Sequence, residues 1–217
     1  MKKLFFAVVL LLTTLTANAQ RGVFNEYDGL NYSPVENYRE KNFQIRTGFG
    51  FSELVGTTAS SYSAFCCKLA FSYDVNLVSG LYLIPEVDFI VKGSQPTSWS
   101  QRLNLTYLQV PVCLAWKFEL PRDMKIGIKA GPYAAVGLFG SQVGYEIYDD
   151  IYESASVFDS YYGSNRFDAG LLTGVQFDFH YFTVGMEYSY GFIMLNRGYE
   201  DLNGFNSTFD VSFGVRF

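Results

Sequence analysis

Acidic and phenolic side chains gather in one stretch of this chain. From 139 to 165 it carries Tyr145, Glu146, Asp149, Asp150, Glu153 and Asp159, with further tyrosines and neither lysine nor arginine. Carboxylates and phenols at that density could bind a divalent cation, a sugar or a protein. The spacing excludes an EF-hand, because the D-x-D-x-D-G ligand run is missing. The plainer reading is a solvated or hairpin-extended loop, although a connection of this length usually signals function or disorder.

The other reactive residues point away from catalysis. His180 is the sole histidine. It falls in a tight turn without Cys or His neighbours, so no metal site is expected there, and nothing calls for a cofactor. Cys66 and Cys67 are adjacent, so on a strand they point to opposite faces. Cys113 lies two strands away in the count below. Strands sit about 4.8 Å apart, which puts a Cys66–Cys113 bridge at roughly twice that, beyond disulfide reach. The cysteines read as small packing residues.

The elements that position these residues are strands. Near the C-terminus Phe209, Val211, Phe213, Val215 and Phe217 share one face, while Thr208, Asp210, Ser212, Gly214 and Arg216 share the other. Period two means a β-strand, here with an oily face and a charged one. Seven earlier segments repeat the partition, at roughly 43–52, 64–74, 81–92, 104–118, 125–138, 166–179 and 182–194. Their apolar faces run, for example, through Phe43, Phe49 and Phe51, through Leu114, Trp116 and Phe118, and through Phe182, Met186 and Phe192. Connections alternate between short (75–80, 119–124, 180–181) and long (53–63, 93–103, 139–165, 195–207). Such alternation marks an outer-membrane barrel. The expected fold is all-β, an eight-stranded antiparallel transmembrane β-barrel with both termini periplasmic. Two aromatic girdles emerge. Trp116, Phe118, Phe179, Phe182 and Phe217 fall at one rim, and Phe51, Phe65, Phe167 and Phe192 at the other. Pro85, Pro111 and Pro132 lie within strands, where a missing N–H predicts local bulges and register slips.

The opposite faces carry Arg46, Lys68, Asp74, Glu86, Asp88, Lys92, Lys117, Lys125, Lys129, Arg166, Asp168, Asp178, Glu187, Asp210 and Arg216. No Asp, Glu, Lys or Arg falls on the apolar faces, as expected if a basic residue facing lipid costs about 2–4 kcal/mol at mid-membrane. A soluble ligand-binding barrel would need the reverse arrangement. Eight strands leave an interior just wide enough for side chains. The near balance of signs therefore predicts an ion-paired plug rather than a narrow ion path. Lys68–Glu86, Arg46–Asp210 and Glu187–Arg216 are the expected neighbours.

The first 19 residues have the layout of a secretory signal peptide: Lys2 and Lys3, the apolar run Leu4 to Leu12, then Ala17-Asn18-Ala19. That run is too short for a spanning helix, which needs about 20 apolar residues. Residues 20–42 read as a periplasmic lead-in, and 43–217 as the barrel. The formal net charge is −5, and more negative without Lys2 and Lys3. This argues against a nucleic-acid partner.

Several segments resemble the small outer-membrane β-barrel family, often labelled porin-like, that is common in Bacteroidota. Tyr107-Leu108-Gln109-Val110-Pro111-Val112 resembles its YLxIPxxxK strand, with Lys117 slightly late. Ala130-Gly131-Pro132-Tyr133 resembles its aGPY strand. Phe167-Asp168-Ala169-Gly170 through Gly174 resembles its DxGxxxGxG strand, with Gln176 at a frequent glycine position. Tyr188-Ser189-Tyr190-Gly191 resembles its YxyGL strand, with Phe192 replacing leucine. The resemblance implies outer-membrane lipid around the barrel and Phe217 as the terminal aromatic read by the barrel-assembly machinery. It implies no conductance, although some similar barrels serve the type IX secretion pathway. A non-enzymatic barrel presenting its loops is the leading expectation, with protein or glycan as the ligand class for 139–165. A narrow passive pore and an accessory subunit of a secretion or uptake complex are the alternatives. Lipid-A deacylase-like barrels would need a His-x-Ser pair, and His180-Tyr181-Phe182 lacks the serine. Omptin-like proteases need an outer-rim histidine, which this chain also lacks.

Overall fold

The structure, a computed structural model, describes residues 41–56, 61–96, 101–121, 124–145, 152–156, 158, 165–195 and 204–217. Every regular element among them is a strand. In chain order these are β1 (Phe43–Val55), β2 (Ser61–Tyr73), β3 (Val75–Val78), β4 (Leu81–Pro96), β5 (Gln101–Leu120), β6 (Met124–Tyr145), β7 (Tyr152–Ser156), β8 (Phe167–Phe179), β9 (Phe182–Gly191) and β10 (Phe205–Arg216). The first and last strands pair antiparallel, with Phe51 opposite Phe209 and Gln44 opposite Arg216, and this closes the sheet. β2 and β3 are one barrel strand interrupted at Asp74, for both pair with β4. With β7 standing outside the wall, the result is a closed eight-stranded antiparallel barrel. Closure removes the exposed edges that a long open sheet would present.

The alternation sets the two surfaces. In β1 every second residue from Gln44 to Leu54 is buried and the residues between face outward. The outward set includes Phe49, Leu114, Leu171, Met186 and Phe213, each about half exposed. Those positions agree with the apolar faces read from the sequence on all eight barrel strands. Both girdles are present as exposed rings at the two rims. Charged residues such as Arg46, Glu86, Asp88 and Glu187 are buried inside. A water-soluble domain hides its apolar residues, and this barrel does the opposite, as a lipid-embedded one must.

Several boundaries differ from expectation. Residues 75–78 form β3 rather than a connection, so the turn before β4 shrinks to Ser79 and Gly80, the latter at φ 80. The β8–β9 turn is His180-Tyr181, with Phe179 opposite Phe182 and His180 at φ 43. β4, β5 and β6 all run further toward the long loops than predicted. Part of the 139–165 segment is a hairpin, because β7 pairs with the end of β6. β9 ends earlier, at Gly191.

The prolines do not slip the register. β4 pairs with β5 from Pro85 opposite Val112 to Asp88 opposite Gln109 without an offset, missing only the rungs across from Val110 and Pro111. β5 and β6 likewise skip the rungs at Val112 and Cys113, the former across from Pro132, and resume in register. A proline removes one donor, and here the ladder loses rungs without inserting a residue. The register shifts lie elsewhere, between Ser63 and Cys67, Asn76 and Val78, and Thr106 and Tyr107.

Candidate functional site

The lumen is the place where polar side chains converge, and strand register stacks them in three tiers. At the short-turn end Lys117 binds Asp74 and lies 2.9 Å from Asp178. Arg216 lies 3.3 Å from each of the same two carboxylates. Gln44 donates to Asp74 at 2.9 Å, and Gln176 and Thr183 donate to Asp178 at 2.7 and 2.9 Å.

The middle tier centres on Glu187. Its carboxylate receives Arg46, Lys129 at 2.6 Å and Lys68 at 2.5 Å. Arg46 also binds Glu86, which lies 3.3 Å from Lys129, and Lys68 reaches Asp210 at 2.8 Å. Asp88 stands beside Gln109 Nε2 at 3.5 Å and joins no ion pair among the described residues. Gly185 makes room for this cluster. A Cβ there would come within 2.8 Å of Ser212 Oγ and 3.3 Å of the Arg46 guanidinium.

The third tier lies toward the long loops. Asp168 accepts from Asn206 at 3.0 Å and Tyr133 at 3.1 Å, and Lys92 lies 3.4 Å away. The Lys92 ammonium sits between the rings of Tyr107 and Tyr133, 5.2 and 5.1 Å from their centroids.

All nine charges assigned to the lumen from sequence, Arg46, Lys68, Glu86, Asp88, Lys129, Asp168, Glu187, Asp210 and Arg216, face the interior. The expected pairs Lys68–Glu86, Arg46–Asp210 and Glu187–Arg216 are corrected. Register puts Gly214, not Asp210, opposite Arg46, so its long side chain crosses the lumen to β4 and β9 instead. Arg216 lies opposite Gln44, too near the short-turn rim to reach Glu187. Isolated buried charges cost several kcal/mol each, of order the price of an unpaired ion in protein. Sharing Glu187 among three cations, and Glu86, Asp74 and Asp178 among two each, offsets that cost.

The interior is less uniformly polar than the sequence reading had it. Leu54, Ile84, Ile90, Leu103, Leu105 and Tyr107 point inward and are buried. They join a cluster that includes Phe158 and Leu195. Leu103 falls in the expected 93–103 connection, and Leu105 on the polar face of the expected 104–118 strand. Phe158 lies between β7 and β8, outside any strand period.

The other predicted sites are placed more simply. Phe209, Val211, Phe213, Val215 and Phe217 lie on the outer face of β10 or just beyond it. Of the acidic stretch, Tyr145 ends β6 and Glu153 lies in β7, opposite Gly144. Glu146, Asp149, Asp150 and Asp159 lie outside the described residues, as do residues 1–40. Arg166 is exposed rather than luminal, and Lys125 is half-buried at the short-turn rim. Among the described residues no group of three His, Cys, Asp or Glu side chains could hold a metal ion.

Comparison with known proteins agrees with this architecture. The outer membrane enzyme PagL superposes with a TM-score of 0.51 at 14% identity, over 80% of this chain and 99% of that one. Neisserial surface protein A gives a TM-score of 0.47 at 12% identity, over 81% and 97%. Ail, the attachment invasion locus protein of Yersinia pestis, gives 0.42 at 16% identity, over 82% and 100%. At 14% identity the likeness to PagL concerns the fold alone. No curated protein matches the sequence. The outer membrane protein beta-barrel domain, however, matches residues 29–196, most of the chain. With its apolar surface outside and its charges locked inside, the protein belongs to that family and resides in the cell outer membrane.

Proposed function

We propose that this protein is a non-enzymatic, non-conducting outer-membrane barrel that presents its long loops outside the cell. The observation that carries this reading is the middle tier. Arg46, Lys68 and Lys129 converge on Glu187, with Glu86 and Asp210 completing the cluster across the lumen. A path for ions would have to break several buried ion pairs at once.

The long loops share one end, and the short turns and both described chain ends share the other, where Phe43 and Phe217 exchange backbone hydrogen bonds. Periplasmic termini fit that arrangement. The outer face of β10 fits the pattern read by the barrel-assembly machinery. The acidic, tyrosine-bearing 139–165 segment is the candidate contact for a protein or glycan. PagL is an enzyme, but only the fold is shared with it. Here the sole histidine, His180, sits in a turn at the short-turn rim, with Tyr181 and Phe182 after it.

Swelling of proteoliposomes in small sugars tests the closed interior. Liposomes carrying the folded barrel should swell no faster than empty ones. Swelling that scales with protein content and falls with sugar size would identify a pore instead.

A further inference from the structure

Among the described residues, one side chain from between the strands is buried in the long-loop mouth of the barrel. Phe158 lies between β7 and β8 yet is only 5% exposed. Its ring meets Tyr107 edge-on at 6.0 Å. It fills the space left by two inward glycines, since a Cβ at Gly137 would come within 2.7 and 2.9 Å of ring atoms, and one at Gly140 within 2.9 Å. Leu103, Leu105 and Leu195 are buried in the same cluster.

Arg166 holds the stopper down. Its Nη2 and Nε donate to the Phe158 carbonyl at 2.9 and 3.3 Å. Its guanidinium carbon lies 5.7 Å from the ring centroid. The Arg166 carbonyl accepts from Gly137 N–H at 2.6 Å, which ties the clasp to the wall of β6. An aromatic ring from a polar loop would gain nothing by entering a hydrated channel. Entering an apolar mouth over a charged lumen, it removes both itself and that mouth from water.

We propose that Phe158, clasped by Arg166, is a stopper that shuts the outer end of the lumen, so that water-borne solutes reach the polar interior only when it leaves. The proposal rests on the closed-interior reading but concerns a separate barrier. The charge cluster blocks passage through the barrel, whereas the stopper blocks entry into it.

Cys66 is a built-in reporter. It is fully buried, faces the lumen opposite Gly50, and belongs to the same cluster as Phe158. The experiment uses the full-length protein with Cys67→Ala and Cys113→Ala, folded in lipid vesicles. A small charged methanethiosulfonate probes Cys66, and heat-modifiable migration reports folding. The parent should react slowly. Phe158→Ala, and Gly137→Ala, which crowds the ring without removing it, should react about a hundredfold faster, because loss of a packed ring shifts local opening by that order. Fast labelling of the folded parent overturns the proposal. So does unchanged slow labelling in either folded variant. Vesicle permeability is scored separately. Fast labelling of the variants without permeability supports the stopper and leaves the charge plug intact. Permeability that appears only in the variants contradicts the closed interior alone. Permeability of the parent contradicts both barriers.

Discussion

Arg46 and Glu187 meet in the middle of the barrel although β10 separates their strands. Arg46 also binds Glu86 on β4, on the other side of β2, so one guanidinium joins carboxylates from both flanks. The wall is a ladder of nearest-neighbour strands, and this contact braces it across the bore.

Glu187 is the carboxylate on which that brace depends. Glu187→Ala should leave Arg46, Lys68 and Lys129 short of a counter-charge. Removing one partner of a buried ion pair typically costs about 3–5 kcal/mol. Urea unfolding in lipid vesicles should show a loss of that order. Glu187→Gln, which keeps shape but not charge, should also be destabilised. A midpoint unchanged in both variants would mean that the cluster contributes nothing to stability.

Gly185 tests the same cluster by crowding. A larger side chain would press on Ser212 and on the Arg46 guanidinium. Gly185→Val should lower stability by about 1–3 kcal/mol, the usual cost of overpacking. Ser212→Gly in the same chain should recover part of the loss, because it removes the nearest atom. Absence of any recovery would locate the strain elsewhere.

The outer surface gives a depth-dependent prediction. Leu171 and Phe179 both face outward from β8, the first near mid-strand and the second at the short-turn rim. Leu171→Arg should cost about 2–4 kcal/mol, and Phe179→Arg about 0–1 kcal/mol, as arginine moves from the bilayer midplane toward its interface. Equal costs at the two sites would contradict the placement of the membrane band along β8.

The two surfaces were legible because period two is local. Phe49, Leu114 and Met186 declare an apolar outside without knowledge of any neighbour, and Arg46 and Glu187 declare a charged inside. Partner choice was not legible. Arg46 bypasses nearby Asp210 because side-chain reach across the bore matters more than adjacency in the wall. Leu103, Leu105 and Phe158 were missed for a related reason. They are apolar residues inside a polar lumen, and they become meaningful only when the mouth is closed around them. Pro111 and Pro132 misled in a third way, since a lost donor can drop a rung without moving the register.

The central claim is that the charges fill the barrel and leave no path for ions. Planar-bilayer recording of the purified, heat-modifiable protein tests it most directly. The account predicts a silent membrane, without steady unitary currents in monovalent salt. Reproducible unitary conductance from the folded monomer, altered in size by Glu187→Gln, would show that ions pass through the Arg46–Glu187 tier and would contradict the account.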